Sequence, residues 1–395
     1  MPPPDCLNPL HRPRDHFADE LRGFSLLGIV LVNAPFLAVS VQGFTEASVA
    51  TWYDRSTAFL IFAFAQAKFY LLFSFLFGYS LHYIVKNDSP ASVRRFRWRL
   101  AGLALFGAMH AIFLFTGDIL FIYAVLGTGL LALHKKTNRF VLWAGAMAAL
   151  LWTVVWSALV VALWTGSQHN PDGAALNSVA AAIQTVDSAL QSARFWDAAA
   201  ARLAYWPWAL AFGALFNGLA ALGMFCLGLV AGRKRILAQP AEHRAIWRRG
   251  RLVGLGLGLP LGVFSGLLAL GPGAQLDANS GLREFAGTAI GFVSAPLLTW
   301  GYVSLLAGAH IRQASFLAVF RPAGRMSLTV YISESLLLSL TFAAYGLNYF
   351  GQMNAAAITA TALLSWAVMA VAATLTQRQF VYGPLEAALR SISRL

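Results

Sequence analysis

LAGLALFGAMHAIFLFTGDILFIYAVLGTGLLAL, residues 100–133, is two apolar runs back to back, broken only by Thr116-Gly117-Asp118. That triplet reads as a tight turn. An apolar run approaching twenty residues can cross a hydrocarbon core of about 30 Å as a helix, because in lipid each backbone N–H and C=O must find its partner inside the segment. The pair therefore predicts a helical hairpin in a membrane. The pattern recurs along the chain, with spans expected at about 23–42, 66–85, 100–116, 119–133, 140–163, 207–231, 252–270, 285–308, 326–348 and 355–376. Composition agrees: of 395 residues, 58% are hydrophobic and 11% charged, and mean hydropathy is +0.63. A soluble domain carries roughly 25% charged residues. A soluble enzyme, a disordered chain and a fibrous protein are excluded, and the expected fold class is an all-α polytopic bundle of about ten transmembrane helices.

The net charge of +13 resembles that of a nucleic-acid binder, but its distribution says otherwise. Segments 1–22, 86–99, 134–139, 233–251, 309–325 and 377–395 hold 24 of the 29 Lys and Arg. Arg55, Lys68, Arg194, Arg202 and Arg283 are left for the opposite side. Positive charge stays on the cytoplasmic side, so both termini are expected there, with the basic loops meeting anionic lipid headgroups and no nucleic acid as partner. An eleventh span at 51–65 would spoil this count, so that stretch is expected to lie in the interface. The insert 164–206 is expected to carry one amphipathic helix on the outer surface. The polar N-terminus runs through Asp19, Glu20 and Arg22 into the first apolar run, which reads as an uncleaved helix. The chain is expected to be a single membrane domain, with halves 1–232 and 233–395. Cys6 and Cys226 are too few and too far apart for a disulfide framework or a cysteine metal site, and no metal is expected.

Ionisable and amide groups at membrane depth are costly, so each is a candidate for function. At about 1.5 Å per residue, Asn33, His110, Glu334 and Asn217 all fall near the midplane of their spans. Asp118 lies eight residues after His110, about 12 Å along a regular helix, too far for direct pairing on one straight helix. It is expected to cap the fourth span, to serve His110 through an intermediary, or both. The aromatic stripe Lys68–Gly78 reads as core packing. Gly254, Gly258 and Gly262 form a small-residue ladder for close helix contact, within the chain or in a homodimer.

Three stretches also resemble a known family. They are LRGFSLLGIVLVN (Leu21–Asn33), the His110-x7-Asp118 segment through Gly127, and FRPAGRMSLTVYISES (Phe320–Ser335) with YGPLEAALR (Tyr382–Arg390). Together they resemble the YeiB family of bacterial inner-membrane proteins. That family is similar to a superfamily of transmembrane acyltransferases, including the acyltransferase-3 proteins and the lysosomal heparan-alpha-glucosaminide N-acetyltransferase. The superfamily's first helix carries Arg, ten residues, then His or Asn, and Arg22 and Asn33 match the Asn version. The histidine of the acyltransferase-3 proteins is absent from that place, and none occurs between Asn33 and His82. Either His110 supplies the base from the third span or the activity is not retained.

The resemblance implies a multi-pass inner-membrane acyltransferase. Its donor would be cytoplasmic acyl-CoA, acetyl-CoA in the first instance, and its acceptor a hydroxyl or amine on the extracytoplasmic side. Neutral imidazole suits the base, an amide N–H the oxyanion, and guanidinium groups the phosphates of CoA. The expected catalytic residues are His110, Asn33, Asp118 and Glu334. The expected donor-binding residues are Arg22, Arg325, Arg95 and Arg99, although the run at 94–99 also serves to orient its helix. A transporter or flippase for a small metabolite or lipid, and a non-catalytic envelope scaffold, are the competing expectations.

Overall fold

A computed structural model describes residues 16–85, 89–169, 174–270 and 280–394. The N-terminal lead with Cys6 and residues 170–173 of the expected insert lie outside the described residues. Each expected span coincides with a helix, and no strand occurs among the described residues. The helices are α1 (His16–Ala38), α2 (Trp52–Phe64), α3 (Lys68–Ile84), α4 (Pro90–Phe113), α5 (Leu120–Leu133), α6 (Asn138–His169) and α7 (Ala174–Leu190). A π-helical segment, Gly213–Gly218, joins α8 (Phe195–Phe212) to α9 (Leu219–Arg233). Another, Gly250–Leu255, joins α10 (Arg244–Arg249) to α11 (Gly256–Leu270). Then come α12 (Ser280–Ile311), α13 (Phe320–Arg325), α14 (Ser327–Phe342), α15 (Ala355–Gln379) and α16 (Pro384–Ile392). Seven described stretches are long and apolar enough to cross a membrane, and α5 and α14 are shorter apolar helices. The chain is a polytopic helical membrane protein.

The structure bears on three expectations. First, 51–65 is mostly helical, as α2. Helix α2 packs against α11 and α15, and with α3 it forms one bent stretch, Trp52–Ile84. The bend falls at Ala65–Ala67, where Ala67 takes a left-handed φ of 69°. Second, the described part of the expected insert 164–206 is largely helical. Helix α6 runs on to His169, and Phe195 already opens the continuous stretch Phe195–Arg233, leaving α7 as the one separate helix between them. Third, Lys68 and Arg202, counted on the outer side, are each only 1% exposed within the bundle.

Inter-helix contacts tie the elements together at both ends of the bundle. At the arginine-rich end, Glu20 binds His310 Nδ1 at 2.7 Å and Arg321 Nε at 2.6 Å, and Gln377 donates to Pro322 O. At the other end, Asp187 of α7 accepts from Ser40 Oγ and Val41 N, Gly351 N meets Ala38 O, and Ala356 N meets Asp54. The first turns of α1 and the C-terminal α16 lie at the arginine-rich end together.

Close packing at that end depends on two glycines. A Cβ on Gly23 would stand 2.0 Å from Phe320 O, and one on Gly324 would stand 1.8 Å from Asp19 O. The LRGF and GRMS stretches are thus the two sides of one backbone contact between α1 and α13. The glycine ladder of α11 makes its contacts inside the chain, against Leu297, Leu298 and Gly301 of α12 and Ala63 of α2.

Candidate functional site

His110 and Asp118 are in direct contact. Helix α4 ends at Phe113, and the N–H groups of Leu114 and Phe115 both return to His110 O, which closes its last turn. The chain then reverses, so the straight-helix distance of about 12 Å does not apply. Asp118 Oδ2 comes back to 2.8 Å from His110 Nδ1, with both side chains buried. Asp118 Oδ1 accepts from Phe121 N at 2.9 Å, so the same carboxylate caps α5. Gly107, one turn before His110, permits this approach: a Cβ there would stand 2.4 Å from Phe121 N and 2.8 Å from Asp118 Oδ1. Arg202 holds the end of α4 from the other side, donating to Phe113 O at 3.0 Å and to the Tyr345 hydroxyl at 3.1 Å.

With Nδ1 held by the carboxylate, His110 Nε2 is buried with no hydrogen-bond partner. Leaving such a group unmet costs on the order of 1–3 kcal/mol. The ring of Tyr331 stands 4.9 Å from the imidazole, centroid to centroid. A carboxylate on one imidazole nitrogen and a vacant second nitrogen is the arrangement by which an Asp–His pair acts as a general base.

A cavity of about 470 Å³ lies beside this pair. It falls within the ~300–1,000 Å³ typical of ligand sites. Asn33 of α1, Asn217 of the π-helical segment, Asp118 and Gln66 line it among many aromatic side chains, including Phe69 and Tyr70 from the aromatic stripe. Neither Asn33 nor Asn217 forms a side-chain hydrogen bond among the described residues, so both amides are available to a ligand. Single π-helical turns inside α-helices are frequent at functional sites. The expected convergence of four midplane groups is therefore partial. Asn33 and Asn217 share the cavity, His110 reaches it through Asp118, and Glu334 does not line it. Glu334 is buried on α14 with Oε1 unpartnered, one helical turn beyond Tyr331 on the same face.

A second space, a crevice of about 80 Å³, opens at the arginine-rich end, with Arg22, Arg99, Ser80, Phe77, Leu389 and Tyr331 in its walls. Arg22 donates to Asp19 at 2.7 Å and to Ser80 Oγ at 2.8 Å. Arg99 forms no hydrogen bond or ion pair among the described residues. Arg95 is exposed on α4 and lines neither space. Arg325 also lines neither, and its Nε is buried without a partner. Two of the four expected donor-binding arginines thus share a site, and two stand apart from it.

The GRMSLT and GPLE stretches close the crevice together. Glu386 accepts from Leu328 N at 2.7 Å, Thr329 N at 3.1 Å and Thr329 Oγ1 at 2.6 Å, which caps the N-terminus of α14. The same contact seats α16 so that Leu389 enters the crevice wall and packs towards Gly102 of α4.

Sequence reasoning passed over Tyr331, Gln66, Lys68 and Arg202. Tyr331 was in view inside the quoted SLTVYISES stretch, three residues before Glu334 and so on the same helical face. Lys68 and Arg202 had a signal too, as charges set inside apolar runs. Lys68 sits just past the bend, and its ammonium donates to Phe62 O at 3.3 Å.

Residues 231–395 match the family described as "Protein of unknown function (DUF418)". The chain is 28% identical to the uncharacterized protein YxaH of Bacillus subtilis (strain 168), over 95% of this chain and 93% of that one. It is also 28% identical to the uncharacterized protein YeiB of Escherichia coli (strain K12), over 93% of each. A shorter likeness, 36% identity over 33% of this chain and 37% of the relative, is to the uncharacterized 39.9 kDa protein in the amylase 3'region of Bacillus acidopullulyticus. No solved structure matches the chain at a significant level. The family match covers the C-terminal part of the chain, and the two long likenesses run over nearly all of it.

Proposed function

We propose that this protein is an acyltransferase of the bacterial inner membrane, moving an acyl group, acetyl in the first instance, from cytoplasmic acyl-CoA to a hydroxyl or amine acceptor that enters from the opposite side. The observation that carries the reading is the buried His110–Asp118 pair, with His110 Nε2 unpartnered and Asp118 in the wall of a ligand-sized cavity. In the transfer, the acceptor oxygen or nitrogen forms a bond to the thioester carbonyl carbon and its proton passes to His110 Nε2. The carbon–sulfur bond then breaks, and the departing thiolate takes that proton. Asp118 holds the imidazole and offsets its charge while the proton is there. The free amide of Asn33 suits the oxyanion of the tetrahedral intermediate. Arg22 and Arg99 suit the phosphates of the donor, which favours the arginine-rich end as the cytoplasmic one.

The test is purified protein in nanodiscs supplied with acetyl-CoA alone. Saturable binding and slow thiol release without acceptor are expected. Absence of both would remove the reading.

A transporter is the second reading, and one observation favours it. The break between α2 and α3, with left-handed Ala67 and buried Lys68 beside it, resembles the discontinuous helices that bind substrates at the midplane of transporters. That reading expects solute flux through proteoliposomes and indifference to CoA.

A further inference from the structure

The rim of the cavity of about 470 Å³ is of two kinds. Gln42 and Gly117 line it and are exposed at the end opposite the arginines. Phe212 of α8 and Phe285 of α12 also line it, and they are 44% and 40% exposed. Both belong to stretches long and apolar enough to cross a membrane. Phe212 lies ten residues past Arg202, about 15 Å further along its helix, and Arg202 grips the end of α4. This part of the rim is therefore at membrane depth. Helix α6 seals the seam only up to Trp156, which packs on Phe216 and on Phe292 of α12 with ring centroids 4.9 and 4.7 Å away. Past Trp156 no described residue of α6 is buried. The cavity thus opens sideways onto hydrocarbon as well as towards water.

Inside, the groups left for a ligand are neutral. Among the described residues no Lys or Arg lines the cavity, and its one carboxylate, Asp118, is taken up by His110 and Phe121 N. Two donors in the wall are unmet: the Tyr70 hydroxyl and Trp156 Nε1 are buried without partners, and Trp156 is only 8% exposed. With the amides of Asn33 and Asn217 they suit the oxygens of hydroxyl or carbonyl groups. A phosphate or carboxylate would be buried there without a counter-charge, which is costly. We infer that the ligand of this cavity is a neutral, hydroxyl-bearing amphiphile that enters sideways from the leaflet opposite the arginine-rich end. Its head lies among the amides, and its chain stays in the seam between α8 and α12. This goes beyond the acyl-transfer reading by naming the acceptor's class, and it rests on that reading only in calling the ligand an acceptor.

The experiment uses the full chain in nanodiscs that carry monolauroylglycerol with a photoreactive diazirine in its chain, at increasing mole fraction and without CoA. Labelling of peptides from α6, α8 and α12 is expected to saturate, and to be competed by unlabelled monolauroylglycerol and not by glycerol. Leu159→Trp, which crowds the rim, should raise the half-saturating mole fraction by roughly 10-fold, as overpacking does. Leu142→Trp, exposed on α6 away from the cavity, should leave it unchanged. If Leu159→Trp fails to fold, Leu159→Phe takes its place. Labelling that rises in proportion to mole fraction, a folded rim variant that matches the wild type, or equal competition by glycerol overturns the lateral site, the last by pointing to entry past Gln42. Thiol release from acetyl-CoA is measured on the same preparation. Release without saturable labelling leaves acyl transfer standing and removes this assignment, and saturable labelling in a protein indifferent to acetyl-CoA does the reverse.

Discussion

Asp118 Oδ2 lies 2.8 Å from His110 Nδ1 although eight residues separate them, because α4 stops at Phe113 and the chain doubles back. The contact is over-determined. Gly107 removes the side chain that would block it, Phe121 N holds the other carboxylate oxygen, and Arg202 fixes the end of α4 from outside the turn. A pair held this firmly, with Nε2 left unpartnered, is suited to taking up a proton in a fixed place.

His110→Ala is therefore expected to retain acetyl-CoA binding and to lose transfer by at least ~100-fold, the low end for loss of a general base. Asn33→Ala should lose about 10²–10³-fold, as oxyanion donors do. If His110 merely joined α4 to α5, its removal would cost on the order of 0.6 kcal/mol of stability and leave turnover intact. Thiol release and thermal unfolding, measured on one preparation of each variant, separate the two outcomes.

The arginines divide by position. Arg99→Ala and Arg22→Ala, both in the crevice wall, should weaken acetyl-CoA binding by about 1.5–3 kcal/mol, as lost hydrogen bonds to a charged group do. Arg95→Ala, one turn away on the exposed face of α4, should bind as the wild type does. Equal losses at all three positions in a calorimetric titration would point to a general field effect and take Arg22 and Arg99 out of the site.

The helices were legible in the sequence because each hides its backbone from lipid with an apolar run, and such runs are read directly. Breaks within runs were not legible. Ala65-Gln66-Ala67 and Gly213–Gly218 carry no proline or charge to mark them, so the bend before α3 goes unseen and Asn217 reads as sitting on a plain helix. At the site, residue types and depth led to His110, Asn33 and Asp118. Pairing was misjudged because depth along a straight axis says nothing about a chain that turns. Depth alone groups Glu334 with the others; it shares the face of Tyr331 on α14 but stands one turn beyond it, outside the cavity wall.

The charge distribution predicts the sidedness of the two ends. In a variant lacking Cys6 and Cys226, single cysteines at Ala238 and Arg394 should react with an impermeant maleimide only from the cytoplasmic face. One at Gln191, just after α7, should react only from the other. Reaction of Gln191 and Ala238 positions from the same face would overturn the arrangement.

Docking of α7 should depend on pH. Burial lifts the Asp187 carboxyl above its ordinary value of 3.8, outweighing the bonds from Ser40 and Val41 that favour its charged form. A group raised in the folded state gives its full stabilisation below the ordinary value, and this fades as pH rises through the folded one. Hydrogen exchange in α7, corrected for intrinsic rate, should therefore be slower at pH 4 than at pH 7. Asp187→Asn should remove the difference, and an unchanged pH profile in that variant would assign the effect to another group.

Glu386 holds the C-terminal helix with one carboxylate and three donors, all on the first turn of α14. Its loss uncaps α14 and releases α16 from the crevice wall, so two readouts should move together. Glu386→Ala should cost about 0.5–2 kcal/mol in unfolding, as a lost N-terminal cap does. A cysteine at Leu103, buried in that wall beneath α16, should meanwhile react faster with aqueous maleimide in the Glu386→Ala background than in the wild type. A fall in stability without faster labelling would mean that the cap matters to α14 alone and that α16 stays seated by Leu389 and Ile392 against Gly102.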